Sequence, residues 1–236
     1  SLHEGKGRLV NNISIINAIR ENFKIKLPLK NKKVLVTAGP TQEPIDDIRY
    51  ISNRSSGKMG FAIAKSARDL GADVTLITGP TNLNDIPEVS MRHIKTADEM
   101  LNIVNQNLNV DYIVMNAAVA DYKMSQFYNG KLKKNNENLK IELKPTVDIL
   151  NSIRLNTSAT LIGFALEMEN KKENAINKMK SKNLDFIVLN TANNKDQGFD
   201  VDTNQVTIFS SSGEEIKSDI DTKARIADFI WDNITH

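Results

Sequence analysis

The chain has 236 residues, with 31 Lys and Arg against 29 Asp and Glu, a formal charge of +2 that is too small to point to nucleic acid. Hydrophobic residues make up 40% and charged residues 25%, ordinary for a globular protein, and no apolar run nears the roughly 20 residues of a membrane helix. With a Cys count of 0, disulfides, thiolate metal sites and a cysteine nucleophile are excluded.

Residues 1–30 stand apart from the rest. The polar start Ser1–Leu9 carries no signal peptide, and the chain is read as cytoplasmic. Gly5-Lys6-Gly7-Arg8-Leu9 is turn-prone, and Ile16, Ile19 and Phe23 fall at helical spacing, so one helix and a linker are expected. From Lys33 the pattern changes. Val34-Leu35-Val36-Thr37 reads as a buried strand ending at Ala38-Gly39-Pro40, and Gly57–Leu70 as a helix with Phe61, Ala64, Ala67 and Leu70 on one face. Val74–Ile77 is a second strand ending at Gly79-Pro80, Ala97–Asn107 a second helix, and Tyr112–Met115 a third strand running into Asn116-Ala117-Ala118. Leu139–Leu143 alternates like a half-exposed strand. Leu161–Ala165 and Phe186–Leu189 read as buried strands around a helix over Asn170–Ser181. Val206–Phe209, Ser212-Gly213 and Glu215-Ile216 suggest an antiparallel hairpin, and Thr222 a cap for a last helix carrying Ile226, Ile230 and Ile234. The fold class that follows is α/β: a doubly wound, Rossmann-like parallel sheet with an added antiparallel hairpin. Ligands in such sheets bind at the carboxyl ends of the strands.

Four segments could carry chemistry. Asn53-Arg54-Ser55-Ser56-Gly57-Lys58-Met59-Gly60 leads into a helix. Unpaired N–H groups, serine hydroxyls and close backbone approach suit a phosphate there, while the plain alternative is a helix capped by Ser55 or Ser56. It is neither a P-loop nor the Gly-x-Gly-x-x-Gly fingerprint. Asn116–Tyr122 places small residues at a strand end, with Asp121 either in the crevice or as a turn cap. Lys131 and Lys133 share a face of Gly130–Lys134; a charge run of this kind is usually a solvated face, and an anion site is the alternative. Lys178 and Lys182 lie four apart on a helix, where like charges are unfavourable unless an anion offsets them; two exposed lysines are the alternative. His3, His93 and His236 lie near no motif, so a His-based triad or metal site is not expected.

Taken together, Ala38–Asp46, Arg49–Gly60, Ala117–Tyr122, Lys131–Lys134, Gly163–Glu167 and Lys182–Asp185 resemble the signature of the phosphopantothenoylcysteine synthetases, from about Lys33 to the C-terminus. The lysine segments resemble the bacterial, CTP-using branch. What the resemblance implies is a ligase of coenzyme A biosynthesis. It would join 4'-phosphopantothenate to L-cysteine with CTP and Mg²⁺, through an acyl-cytidylate, releasing pyrophosphate and CMP. Residues 31–236 would be the ligase domain, and residues 1–30 the tail of a flavin-dependent decarboxylase domain plus a linker, with no flavin bound by this part.

The resemblance further places Gly39, Ser55, Gly57 and Gly60 on the triphosphate. Asn53, Ala117, Ala118 and Asp121 would surround the acyl group and intermediate, and Lys131 would be the key cation of its loop. Phe164 and the turn Val147-Asp148-Ile149-Leu150 would flank the cytidine with Asn190 near, and Lys178 and Lys182 would reach the nucleotide phosphates. The family is homodimeric, with Arg49 entering the neighbouring subunit's site. Asn53, Lys131, Arg49 and Ala118 are thus the expected catalytic set; no metal ligand is assigned, and neither nucleic acid nor membrane is an expected partner. Asn129-Gly130 departs from the Pro-Glu common there. Two other readings of the fold are a nicotinamide-dependent reductase, which lacks its fingerprint and a Tyr-x-x-x-Lys pair here, and a non-catalytic nucleotide-sensing module.

Overall fold

The computed structural model describes residues 27–133, 138–166, 170–190 and 202–235, with scattered positions between 11 and 19. Of the helix expected from Ile16, Ile19 and Phe23, Ile19 is described and helical, whereas Ile16, Phe23, the turn at Gly5–Leu9, and Lys134 and Glu167 of the motifs lie outside the described residues.

The five runs read as buried strands form the centre of one sheet. β1 (Lys33–Ala38), β4 (Asp73–Thr78), β6 (Tyr112–Met115), β9 (Thr160–Leu166) and β10 (Phe186–Asn190) pair in parallel, with β5 (Ser90–His93) on the outer edge of β4. β12 (Val206–Ser210) and β13 (Glu215–Lys217) add antiparallel on the far side of β10, which is the expected hairpin. The order across the sheet is β13-β12-β10-β9-β6-β1-β4-β5. The chain therefore runs outward from β1 through β4 to β5, then crosses back to β6 and runs outward on the other side. That reversal opens a crevice beyond the carboxyl ends of β1 and β6.

Both sheet faces are covered, so the strands alternate between two cores instead of between core and water. Val34, Val36 and Ala38 pack with Phe61, Ile63 and Ala64 of α1 (Lys58–Asp69) and Ile226, Ile230 and Trp231 of α5 (Lys223–Ile234). Leu35, Ile113 and Met115 pack on the opposite face, with Met100 and Val104 of α2 (Ala97–Asn105), Ile149 and Ile153 of α3 (Ile149–Arg154), and Ala175 and Met179 of α4 (Lys171–Ser181). The caps are local. Thr96 and Glu99 form a capping box on α2, and Thr222 Oγ1 accepts from Arg225 N at 3.4 Å on α5, as expected. No described helix is long and apolar enough to cross a membrane.

Three expectations are corrected. Leu139–Leu143 is not a strand: only β8 (Leu143–Pro145) pairs, with β7 (Tyr122–Met124), and Leu139, Ile141 and Leu143 are all exposed, so their alternation matches no buried face. Neither Ser55 nor Ser56 caps α1. Gly57 stands at that position with φ 75° and makes no side-chain cap bond, and Ser55 Oγ accepts from Gly57 N at 3.4 Å instead of from the helix. Val147–Leu150 is the start of α3 rather than a turn, with Asp148 as N-cap accepting from Asn151 N at 3.1 Å. Two short hairpins were not foreseen: β2 (Gln42–Pro44) with β3 (Tyr50–Ser52), and β7 with β8. They meet through Asp46 and Tyr128 and form an arm beside the sheet, anchored where buried Glu43 Oε1 accepts the Ala97 N–H of α2 at 2.9 Å.

Candidate functional site

The crevice at the switch point is a cleft of about 1160 Å³. Its floor is the zippered ends of β1 and β6. Ala118 N donates to Gly39 O at 2.9 Å, Ala117 N to Thr37 Oγ1 at 3.2 Å, and Ala120 N to Thr41 Oγ1 at 2.9 Å. Because residues 117, 118 and 120 are alanines, a ligand could lie close against this backbone. Asn53 is tied to the same loop, its Nδ2 donating to Val119 O at 2.9 Å.

One wall is the segment Asn53–Met59 and the start of α1. Gly57 adopts a left-handed conformation, and a Cβ there would come within 2.7 Å of Thr81 Cγ2. Gly60 is a packing glycine: a Cβ on it would sit 2.5 Å from Ala38 Cβ, so its absence lets α1 start directly against the end of β1. The N-terminus of α1 thus faces the cleft with its partial positive charge.

The opposite wall is cationic and apolar. Phe164 lies at the end of β9, and Val147, Asp148, Ile149 and Leu150 form the start of α3. Lys178 and Lys182 reach in from α4, half-buried rather than exposed, and Asn190 closes the end of β10. Lys178 Nζ donates to Phe164 O at 2.9 Å, and Lys182 pairs with Asp148. The like-charge cost of these lysines is therefore partly relieved within the protein itself. Asp121 lines the cleft and caps no helix, and it has no ion pair among the described residues.

Fourteen of the expected site residues line this one cleft: Asn53, Ser55, Gly57, Ala117, Ala118, Asp121, Val147, Asp148, Ile149, Leu150, Phe164, Lys178, Lys182 and Asn190. Gly39 and Gly60 lie beneath it, as the backbone on which the floor and α1 rest. Arg49 and Lys131 are not in it. Both sit on the arm, where Arg49 Nη2 donates to Leu132 O at 2.8 Å. Gly130 takes φ 78° and donates its N–H to Asp47 Oδ2 at 2.9 Å, a turn the usual Pro-Glu could not make in the same way.

Lys58 and Asn116, from the two loops singled out in the sequence, also line the cleft, and so do Asn204 and Lys223, which sequence reasoning missed. Lys58 Nζ bonds Asp202 Oδ1 at 2.7 Å, and that bond holds the Asp202 carboxyl below its ordinary range. Buried Asn204 and Lys223 arrive on the small pair β11 (Thr203–Asn204) and β14 (Asp221–Thr222) and the first residue of α5. Nothing in local spacing signals residues that reach the site from 150 positions away.

The model of the DNA/pantothenate metabolism flavoprotein C-terminal domain matches residues 29–236. The chain belongs to that family. It is 48% identical over 192 residues to the coenzyme A biosynthesis bifunctional protein CoaBC of Borreliella burgdorferi, a match covering 78% of this chain and 48% of that protein. It is 37% identical over 231 residues to a prokaryotic protein named cysteine/cysteine sulfinic acid decarboxylase, covering 94% and 64%. A crystal structure of the C-terminal domain of a CoaBC protein superposes with a TM-score of 0.77 at 39% identity, over 89% of this chain and 97% of that one. The chain spans about half to two thirds of the length of these curated relatives.

Proposed function

We propose that this chain is a phosphopantothenate–cysteine ligase acting with CTP in coenzyme A biosynthesis. The observation that carries the reading is the single cleft joining a helix N-terminus, an alanine floor and two half-buried lysines over Phe164, with room for a nucleotide and an acyl chain together. The family and the named relatives support it.

The chemistry has two steps. The phosphopantothenate carboxylate attacks the α-phosphorus of CTP, forming an acyl-cytidylate and releasing pyrophosphate. The cysteine amine then attacks the acyl carbon, forming the amide and releasing CMP. Splitting the reaction solves the problem that a bare carboxylate is a poor acyl donor. Both first-step reactants are anions, so cations must bring them together: Lys178 and Lys182 hold the nucleotide, and the N–H groups at the start of α1 take the phosphates. Asn53, tied to Val119 at the floor, orients the acyl carbonyl for the amine. Mg²⁺ entering with the triphosphate would need few protein ligands, and a cleft without a three-residue metal cluster among the described residues fits that need. Asp121 is the carboxylate placed to meet it, and the ion would supply neutralisation of phosphate charge.

Arg49 and Lys131 enter this reading through a second copy of the chain. The arm that carries them exposes Ile48, Tyr50, Tyr122, Phe127, Tyr128, Leu139, Ile141 and Leu143. That many apolar side chains on one protrusion favour a two-fold contact in which each arm serves its neighbour's cleft.

The deciding experiment measures pyrophosphate release with phosphopantothenate and either CTP or ATP, with and without cysteine. CTP-dependent release that precedes cysteine addition, with CTP preferred over ATP, supports the reading. Carbon dioxide release from cysteine without pyrophosphate would instead favour the activity named for the decarboxylase relative.

A further inference from the structure

Asp46 lies in the turn between β2 and β3, outside the cleft, and its side chain is 0% exposed while that of Arg49 is 44% exposed. Five N–H groups converge on its two oxygens. Oδ1 accepts from Ile48 N at 2.9 Å and Arg49 N at 2.7 Å. Oδ2 accepts from Arg49 Nε at 3.0 Å, Arg49 Nη2 at 2.5 Å and Leu132 N at 3.0 Å. Arg49 Nη2 closes the ring by donating to Leu132 O at 2.8 Å. One carboxylate thus grips both the guanidinium of Arg49 and the backbone beside Lys131, which is 85 residues away in the chain.

We propose that Asp46 is a positioning residue that locks Arg49 and the Lys131 loop into one rigid unit, so that the two cations are presented together to an active site. The inference rests on the ligase reading for what the cations do; the lock itself is read from the geometry alone.

All five partners are donors, so the site needs an acceptor on both oxygens. An asparagine offers one oxygen and one NH₂. Turned one way, its NH₂ meets Ile48 N–H and Arg49 N–H; turned the other way, it meets the guanidinium and Leu132 N–H. Either orientation sets donor against donor and breaks at least two bonds. Asp46→Asn therefore loosens the unit with almost no change in volume. The cleft walls lie on other elements, so nucleotide binding stays intact.

The test compares Asp46→Asn with the unaltered chain in two measurements. The first is pyrophosphate release with phosphopantothenate and CTP, alongside CTP affinity by calorimetry. The expected result is a tenfold or greater fall in release rate with CTP affinity changed less than twofold. A merely destabilised fold would not split the two in this way. Combining Asp46→Asn with Lys131→Ala should be no slower than Lys131→Ala alone, because both act through one loop. The second measurement is tryptic cleavage after Lys131, which should quicken at least fivefold in Asp46→Asn while the sheet core stays resistant.

Unchanged release and unchanged cleavage overturn the proposal, as does a double variant whose losses multiply. If the unaltered chain releases no pyrophosphate, the ligase reading fails and the cleavage rate alone decides the lock. Should Asp46→Asn not fold, Asp47→Ala removes the neighbouring tether to Gly130 N through an exposed side chain. It should quicken cleavage and slow release by at least twofold, and no change in either overturns the proposal.

Discussion

Replacing Gly60 with alanine sets two effects of opposite sign against each other. Gly60 is the third residue of α1, and in an unconstrained helix glycine to alanine stabilises by about 0.5–1 kcal/mol. Here the new Cβ would lie 2.5 Å from Ala38 Cβ, 3.1 Å from Ala38 Cα and 3.0 Å from Asn116 Oδ1. Ordinary contact begins near 3.4 Å, and Ala38 belongs to a central strand that cannot yield, so α1 must move by about 1 Å. Overpacking of this kind costs about 1–3 kcal/mol, more than the propensity gain. Net of the propensity gain the loss is up to about 2.5 kcal/mol, so for a domain of this size Tm should fall by up to about 10 °C. The same shift drags Gly57 and Ser55 away from the cleft floor, so CTP affinity should drop at least fivefold. Thermal melts followed by circular dichroism, with calorimetric titration of CTP, would show both; Lys65→Ala, exposed on the same helix, should change neither. If Gly60→Ala melts at or above the original Tm and binds CTP equally well, close packing is not why glycine stands there.

Lys182→Ala removes a cleft cation and strands Asp148 as an uncompensated carboxylate facing the nucleotide. Charge-assisted bonds are worth about 1.5–3 kcal/mol, so CTP affinity should fall about tenfold to over a hundredfold, whereas exposed Lys180→Ala should leave it within twofold. Trp231→Phe loses the 3.1 Å bond from Nε1 to Ile63 O and the edge contact with Tyr112 at 5.7 Å. A loss of about 1–3 kcal/mol should lower Tm with no effect on CTP affinity, and an unchanged melt would refute the role assigned to that bond. Arg49 holds the Asp46 carboxyl well below the ordinary carboxylate range. A carboxyl whose folded pKa is depressed adds stability above its unfolded pKa near 3.8, lost as pH falls toward the folded value. Asp46→Asn should therefore be less stable at pH 6 and lose less further stability below pH 4 than the unaltered chain; parallel acid-denaturation curves would contradict this.

The central sheet was legible because its strands are buried on both faces. Val34–Val36 and Ile187–Leu189 are unbroken apolar runs and Val74–Ile77 is broken only by Thr75; near-continuous runs of this kind are what a parallel sheet covered on both faces holds. The arm was not legible for the opposite reason. Gln42–Pro44, Tyr50–Ser52 and Leu143–Pro145 are three residues each, too short to show a period, and their apolar residues point outward. Leu139–Leu143 misled because alternation signals a half-buried strand only when a core takes one side. Ser55 and Ser56 misled because Gly57, in a left-handed conformation, intervenes between them and the helix they were expected to cap.

The cleft divides along similar lines. Loops at the carboxyl ends of β1 and β6 can be found from sequence once the alternating pattern implies a switch point, since topology alone sends Gly39, Ala118 and Asp121 there. Asn204 and Lys223 cannot, because Asn204 lies in a two-residue strand, Lys223 follows another, and their partners lie across the fold. Arg49 is a harder case. Spacing gives it no distinction from any other surface arginine, and only resemblance singled it out. The structure supplies a physical reason in Asp46: a fully buried carboxylate would be costly if unpaired, and its pairing commits Arg49 and the Lys131 loop to one another. A motif whose acid is buried and whose base is exposed marks a place where the fold holds a cation outward for use. Arg49 and Lys131 do not line this chain's own cleft, and the second copy proposed above is the partner whose cleft they would serve.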